Sequence, residues 1–212
     1  MVSSLLRTKL FIPPAHPNLV PRSRLVDAIE TGIRQGHKVT LVAAPAGFGK
    51  TTVVSKWAEA VAQLVAWLSL DDGDNDEALF WAYVIAAIQS VLPDFGGVLL
   101  ASLTTTPPAP VQGMLAELIN ELSELPETLT LVLDDYHVIS NTRIHENLSF
   151  LLDHQPQSLH VIIATRADPP IQLARLRARR LLTELRVDDL RFSRQEVQVF
   201  LNEIMSLGLN AE

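Results

Sequence analysis

Residues 39–52 (VTLVAAPAGFGKTT) have the composition of a phosphate-binding loop, in which an apolar run breaks into a glycine-containing turn ending in Gly-Lys-Thr-Thr. Glycines let backbone amides crowd around a phosphate chain at the positive end of the following helix. Lys50 can reach the β- and γ-phosphates of a nucleoside triphosphate, and the Thr51 hydroxyl can complete a Mg²⁺ shell. The loop residues predicted to contact the nucleotide are Ala46, Gly47, Phe48, Gly49, Lys50, Thr51 and Thr52.

One position departs from the usual G-x-x-x-x-G-K-[ST] pattern, because Ala44 stands where the first glycine belongs. Alanine can make the same strand-to-loop turn as long as its φ stays negative. A glycine-rich turn that binds nothing is the alternative. The apolar strand before the turn, the helix-forming stretch after it and the adjacent Lys-Thr favour nucleotide binding.

Two further runs end in polar residues. The run at 129–135 (LTLVLDD) delivers two carboxylates to the tip of a buried strand. There Asp134 is placed to hold Mg²⁺, and Asp135 to orient and polarise an attacking water as a catalytic residue. The run at 161–166 (VIIATR) ends in Arg166, which could contact the γ-phosphate. An exposed ion pair between Arg166 and Asp168 is the alternative.

Apolar strand-like runs alternate with helical patterns along the chain, which predicts an α/β fold with a mostly parallel sheet covered on both faces by helices. Ligands of such sheets bind at the carboxyl ends of the strands, where each of these motifs falls. Strands are expected near 39–43, 64–70, 128–133 and 159–164, with a short apolar run at 181–185. Helices are expected from residue 21, at 50–63, 77–91, 111–122, 144–152 and 171–179, and after Ser193.

Three intervals complete the predicted secondary structure. Pro93 and the Gly96-Gly97 pair are expected to end the helix that starts at Glu77, and 104–110 (TTTPPAP) to form a loop. Ser193 is a good N-cap, with Glu196 at the capping-box position. The predicted organisation is a lead-in and helix at 1–36, a P-loop NTPase core at 37–190 and the start of a helical module at 191–212.

Composition restricts the classes of function. The chain has 212 residues, a net charge of −7 and no cysteine. It lacks both an apolar run long enough to span a membrane and a signal-peptide core, so we expect no membrane partner and a cytoplasmic location. Residues 57–142 contain thirteen acidic residues and no Lys or Arg, whereas 166–194 contain eight arginines. Because duplex DNA rewards a broad basic face, we do not expect these residues to bind it by themselves.

Several segments together resemble one known family. These are APAGFGKTT; SLDDGDND with FWAYVIAAI; LVLDDYHVI with IHE, HQP and ATR; the lead-in TKLFIPP; and LRFSRQEVQVFL near the end. On these residues the chain resembles the MalT-like, LuxR-family ATP-binding regulators of the STAND class of P-loop NTPases. The likeness covers nearly the whole chain, and it implies the P-loop NTPase fold, ATP or ADP as the bound nucleotide and Mg²⁺.

The resemblance also implies roles for particular residues. Lys50, Thr51, Asp134, Asp135 and Arg166 fall where the family has its Walker A, Walker B and sensor residues. Family members carry an arginine-containing segment before the loop that helps to enclose the nucleotide. Residues 20–24 (VPRSR) look like this segment, with Arg24 as the better candidate and Ser23 where the family usually has glycine.

Proteins of this family are long switches, in which an ATPase module precedes a winged-helix segment, a sensor and often a DNA reader. The resemblance implies that the chain is an N-terminal fragment, and that DNA is contacted only through the missing C-terminal domain. It further implies that ATP with Mg²⁺ favours a self-associating form and that slow hydrolysis to ADP favours a monomer. Apart from the resemblance, His137 follows the two aspartates in sequence and can support them as a hydrogen-bond partner.

Other classes of function share the loop. In a small-molecule or nucleoside kinase the Arg-rich stretch 175–180 could form a phosphate-clamping lid. A pure interaction module would bind nucleotide without hydrolysing it. A GTPase is disfavoured, because the chain has no N-K-x-D motif to read guanine.

Overall fold

The computed structural model describes residues 5–14, 19–103, 105 and 110–205. The strands are β1 (Val39–Ala43), β2 (Leu64–Ser69), β3 (Leu129–Asp134), β4 (Leu159–Thr165) and β5 (Leu182–Leu185). The helices are α1 (Ser23–Arg34), α2 (Lys50–Ala60), α3 (Glu77–Gln89), α4 (Gly97–Leu103), α5 (Val111–Ser123), α6 (Thr142–Asp153), α7 (Leu173–Ala178), α8 (Val187–Leu190) and α9 (Arg194–Val199). A π-helical turn, Phe200–Ile204, continues α9.

The five strands form one parallel sheet in the order β2-β3-β4-β1-β5, which confirms the predicted α/β class. Strand β4 lies between β1, which leads into the phosphate loop, and β3, which carries the aspartates. The register pairs Ala43 with Thr165, and Ser69 with Asp134. The residues that follow β1, β3 and β4 therefore lie together at the carboxyl-terminal end of the sheet.

Side chains alternate across the sheet, so each strand supplies both of its faces. Leu41, Leu131 and Ile163 join the apolar layer formed with α3, α5 and α6. Val42, Val132 and Ile162 join the opposite layer, which includes α1 and α2 and the fully buried Trp57 and Trp67. Every strand contributes apolar side chains to both layers, and Thr40, Thr130 and His160 are polar residues buried among them.

The lead-in lies against the edge of the sheet. A 3₁₀ turn at Arg7–Leu10 packs on the edge strand β2, and the Lys9 ammonium binds Asp74 at 2.7 Å and Asp71 at 2.8 Å. The same ammonium lies 4.7 Å from the centre of the Tyr83 ring. This contact covers an edge that would otherwise expose unpaired backbone groups.

Most predicted elements are found within a few residues of their predicted ends. The first helix starts at Ser23 rather than at Pro21, and α3 ends at Gln89 rather than at Val91. The Gly96-Gly97 pair does more than end a helix, because α4 begins at Gly97 after Gly96 adopts a left-handed φ of 63°. Most of the predicted loop at 104–110 lies outside the described residues.

Side chains cap the starts of α3 and α9, and the cap predicted at Ser193 is confirmed. The Asp76 carboxylate accepts from the amide of Leu79 at the start of α3. Ser193 and Glu196 form a capping box at α9, since each side chain accepts from the backbone amide of the other residue. Within the described segments, no helix is long and apolar enough to cross a membrane. The domain boundaries at 36 and 190 stay a prediction.

Candidate functional site

The loop between β1 and α2 has the backbone that its glycines predict. Gly47 and Gly49 adopt φ values of 84° and 77°, a left-handed conformation that side chains with a Cβ disfavour. Helix α2 begins at Lys50, with Gly49 as its N-cap. Because glycine has no side chain to cap the helix, the first amides of α2 remain available to an anion at the positive end of the helix dipole.

Lys50 lies inside this loop and is only 7% exposed. Its Nζ donates a hydrogen bond to the Pro45 carbonyl, 3.1 Å away. Burial lowers the pKa of Lys50, the carboxylates of Asp135 and Asp134 oppose this shift, and the nearby Arg166 adds to it. A desolvated ammonium bonded to a neutral carbonyl can exchange that bond for a stronger one to phosphate.

Thr51 and Asp134 are in contact at the carboxyl-terminal end of the sheet. The Thr51 Oγ1 donates to Asp134 Oδ1 at 3.1 Å, and the Asp135 amide donates to the same carboxylate oxygen at 3.0 Å. Burial, helped by the charge of Asp135, raises the pKa of Asp134 to about 6. A buried carboxylate beside a hydroxyl is a set of hard oxygen donors of the kind that Mg²⁺ prefers, and a cation there would offset the desolvation.

Asp135 points away from the interior. It adopts a left-handed φ of 57°, an uncommon conformation for a residue other than glycine, and its side chain is 48% exposed. The Nδ1 of His137 lies 3.7 Å from Asp135 Oδ1. This buried nitrogen has no hydrogen-bond partner among the described residues, and burial lowers the pKa of His137. The structure thus brings His137 beside Asp135.

Arg166 follows β4 and is exposed. Its charge lowers the pKa of both Lys50 and His137, so the guanidinium belongs to the same electrostatic environment. In the part of the chain that the structure describes, Arg166 forms no ion pair. Asp168, its alternative partner from sequence, is instead bound by Arg177 and Arg186.

A cavity of about 990 Å³ opens beside the phosphate loop. Its walls come from three segments that lie far apart in sequence, namely 19–27, 46–60 and 190–192. Apolar side chains supply much of the lining, and this pocket was not predicted from the sequence. The apolar members are Leu19, Val20, Pro21, Val26, Ala46, Phe48, Val53, Ala60, Leu190 and Phe192.

The two arginines that precede the loop have different positions. Arg22 lines the cavity, and its Nη1 donates to the Phe48 carbonyl at 3.4 Å. Arg24, which the sequence analysis favoured as the nucleotide contact, lies elsewhere and forms an ion pair with Glu196 at 3.1 Å. The physical reason is the start of α1 at Ser23: Arg22 precedes the helix and faces the loop, whereas Arg24 lies on the helix and faces α9.

The Arg-rich stretch near α7 does not line this cavity. Arg175 pairs with Asp153 at 2.6 Å, and Arg177 pairs with Glu184 at 2.8 Å. These arginines are close to half exposed, which is typical of a solvated ion-paired surface. The alternative use of this stretch as a phosphate-clamping lid therefore gains no support from these contacts.

Comparison with known proteins extends these observations. The HTH-type transcriptional regulator MalT of Yersinia enterocolitica is 38% identical over 205 residues, which are 97% of this chain and 22% of the relative. MalT of Serratia proteamaculans is 38% identical over 201 residues, and MalT of Klebsiella pneumoniae is 35% identical over 208. The chain thus spans about a fifth of the length of these relatives. No protein-family model matches the chain.

Solved structures agree on the fold. Cdc6p from Pyrobaculum aerophilum has a TM-score of 0.58 at 13% identity, covering 98% of this chain and 55% of that protein. A Walker-type ATPase of Pyrococcus abyssi has a TM-score of 0.52 at 13% identity, covering 93% and 61%. The chain therefore has the fold of the P-loop ATPases, and in sequence it is a relative of the MalT-type transcriptional regulators.

Proposed function

We propose that this chain is an ATP-binding, slowly hydrolysing switch module of a MalT-like transcriptional regulator. One observation carries the proposal: Lys50, Thr51, Asp134 and Asp135 are grouped at the carboxyl-terminal end of the sheet. They lie beside a loop where no side chain caps the first amides of α2. These four residues supply the parts that phosphoryl transfer needs, namely a cation, an oxygen pair for metal and a carboxylate.

The cavity beside the loop supports adenine nucleotides as the ligand. Its apolar wall suits the flat face of a purine, and Val20, Phe48 and Phe192 offer the contact area. The phosphates would extend from there into the loop formed by residues 46–52. Arg22 contributes a positive charge between the two regions.

The residues at the loop also fit a magnesium ion. Thr51 and Asp134 would hold it, and the ion would neutralise charge on the β- and γ-phosphate oxygens. Asp135 is exposed enough to reach a water molecule, and it would orient and polarise that water for attack. Lys50 and Arg166 would stabilise the charge that spreads over the transferred phosphoryl group.

We further propose that the nucleotide state carries the signal. ATP and ADP can shift a conformational equilibrium only through a difference in their affinities for the two states, and Arg166 would sense the γ-phosphate. In the longer protein, the ATP state would favour self-association in the cytoplasm. DNA would be contacted by another part of that protein, as the names of the MalT relatives suggest.

Calorimetric titration of the purified chain with ATP, ADP and GTP in the presence of Mg²⁺ tests the proposal. We expect binding that is selective for adenine and is lost in Lys50→Ala. Arg175→Ala is the matched control, since it removes a surface cation that pairs with Asp153. Failure of the wild-type chain to bind any of the three nucleotides would overturn the proposal.

A further inference from the structure

A cluster of three charged side chains, Arg22, Arg24 and Glu196, joins α1 to α9 near the cavity. Both carboxylate oxygens of Glu196 are bound by Arg24, through Nε and Nη2 at 3.1 Å each. The Nε of Arg22 lies 4.0 Å from the same carboxylate. Arg24 also donates to the carbonyls of Asp189 and Arg191 at 2.6 Å each. The cluster therefore fixes the start of α9 and also the turn at residues 189–191 that precedes it.

Arg22 links this turn to the phosphate loop. Its Nη2 donates to the carbonyls of Leu190 and Arg191, and its Nη1 donates to the carbonyl of Phe48 in the loop. The guanidinium also lies 5.0 Å from the centre of the Phe192 ring. A single side chain thus contacts two walls of the cavity, which come from segments more than 140 residues apart.

Glu196 is poorly exposed, at 7%, and yet its contacts favour the ionised form. Burial alone raises the pKa of Glu196, but the hydrogen bonds from Arg24 and from the Ser193 amide hold it below its ordinary value. A buried carboxylate bound on both oxygens by a planar guanidinium fixes orientation as well as distance. Loss of its charge would leave two arginines without a counterion.

We propose that this cluster is a latch that holds residues 190–192 in place as a wall of the nucleotide cavity, so that latch closure and nucleotide binding stabilise each other. Leu190, Arg191 and Phe192 line the cavity, whereas Arg24 and Glu196 do not. Arg24 and Glu196 therefore act on a nucleotide through the position of this wall, whereas Arg22 also lines the cavity itself. The inference rests on the proposed nucleotide binding, and coupling between two such events is reciprocal.

The substitution Glu196→Gln tests the latch. Glutamine keeps an oxygen that can accept from the Ser193 amide, so the capping box is retained while the charge is lost. We expect ADP and ATP affinity to fall about fivefold or more, the lower end of typical coupling between sites. Backbone amides of residues 187–199 should exchange hydrogen faster in the variant, and ADP should slow their exchange in the wild-type chain.

Three comparisons separate the possible results. Glu117→Gln removes an exposed carboxylate on α5 and should leave affinity unchanged. Arg24→Met should reproduce Glu196→Gln, and the double variant should be no weaker than either single variant, because both changes open the same latch. If the wild-type chain binds nucleotide and the affinity of Glu196→Gln is within twofold of the wild-type value, the latch is overturned and the proposed function stands. Absence of wild-type binding overturns the proposed function, and the latch with it.

Discussion

Thr51 and Asp134 lie 83 positions apart in the chain, and the hydroxyl of the first donates to the carboxylate of the second at 3.1 Å. Thr51 belongs to the first turn of α2 and Asp134 ends β3, with β4 between that strand and β1. This contact joins the phosphate loop to the end of β3. The proposed catalytic residue Asp135 comes directly after Asp134 in the chain.

Replacement of Asp135 by Asn should separate binding from hydrolysis. The amide keeps the size of the side chain but cannot take a proton from water, so we expect ATP hydrolysis to fall about 10²- to 10⁴-fold. Nucleotide affinity should change little, because the Asp135 side chain is half exposed and lies outside the loop. Phosphate release and calorimetry measure the two effects.

Unchanged hydrolysis in Asp135→Asn would contradict this role. Transfer of the γ-phosphoryl group to an added nucleoside would instead support the kinase alternative. A chain that binds ATP, never releases phosphate and keeps its switching in Asp135→Asn would match the interaction module.

Arg166→Ala should weaken binding of ATP more than binding of ADP. The guanidinium has no ion-pair partner among the described residues, so it can give its hydrogen bonds to the γ-phosphate. A charge-assisted hydrogen bond contributes about 1.5–3 kcal/mol, which predicts a loss of roughly tenfold or more in ATP affinity. Equal losses for the two nucleotides, measured by calorimetry, would argue against γ-phosphate sensing.

Gly47→Ala should lower the free energy of unfolding by about 1–2 kcal/mol, even without nucleotide, because an L side chain is strained at a φ of 84°. No neighbouring atom lies within 4 Å of the added Cβ, so the backbone alone causes the loss. Gly113→Ala is the matched control: it lies inside α5 with equally open space, and alanine there should stabilise the chain by about 0.5–1 kcal/mol. Urea unfolding measures both, and equal effects would contradict the strain argument.

Lys9→Met should destabilise the chain by roughly 3 kcal/mol, because it leaves Asp74, whose side chain is 1% exposed, without its counterion. Lys56→Met removes a lysine from an exposed pair with Glu59 and should cost less than about 1 kcal/mol. Chemical denaturation of the two variants provides the comparison. Similar losses would mean that the lead-in does not depend on its ion pair with Asp74.

His160 should make stability depend on pH. Burial lowers its pKa to about 4 from an ordinary 6.5, although the hydrogen bond that its Nδ1 donates to the His37 carbonyl opposes this shift. In the neutral ring, Nε2 accepts from the Thr40 hydroxyl in the core. The unfolded chain therefore binds a proton first as the pH falls. The contribution of His160 to stability should be full above about pH 6.5 and decline progressively toward pH 4, whereas Asp134, with its pKa raised to about 6, contributes in the opposite direction over much of that range.

His160→Gln should remove this contribution, so that its unfolding free energy falls less than that of wild type between pH 6.5 and 4, whereas the exposed His154→Gln should follow wild type. Denaturant unfolding at a series of pH values measures the slope. An identical slope in His160→Gln and wild type would assign the dependence to other groups.

The motifs could be read from local sequence because local chemistry dictates them. The glycines at 47 and 49, the run of apolar residues before Asp134 and the Ser193–Glu196 capping box each need only a few neighbouring residues, and all were predicted. The strands were also predicted, since strands that are buried on both faces are mostly apolar along their length.

The sequence by itself determined the loop, the two aspartates, the arginine that follows β4 and the α/β class. Only the tertiary structure decided the strand order that brings them together, the choice of Arg22 over Arg24 at the loop, and the apolar cavity. The physical reason is that the strand order depends on pairing between strands that are far apart in the chain, while the cavity and the positions of the two arginines depend on contacts between residues 19–27, 46–60 and 190–196. Such contacts leave no periodic pattern in any one segment, because packing between distant segments creates them.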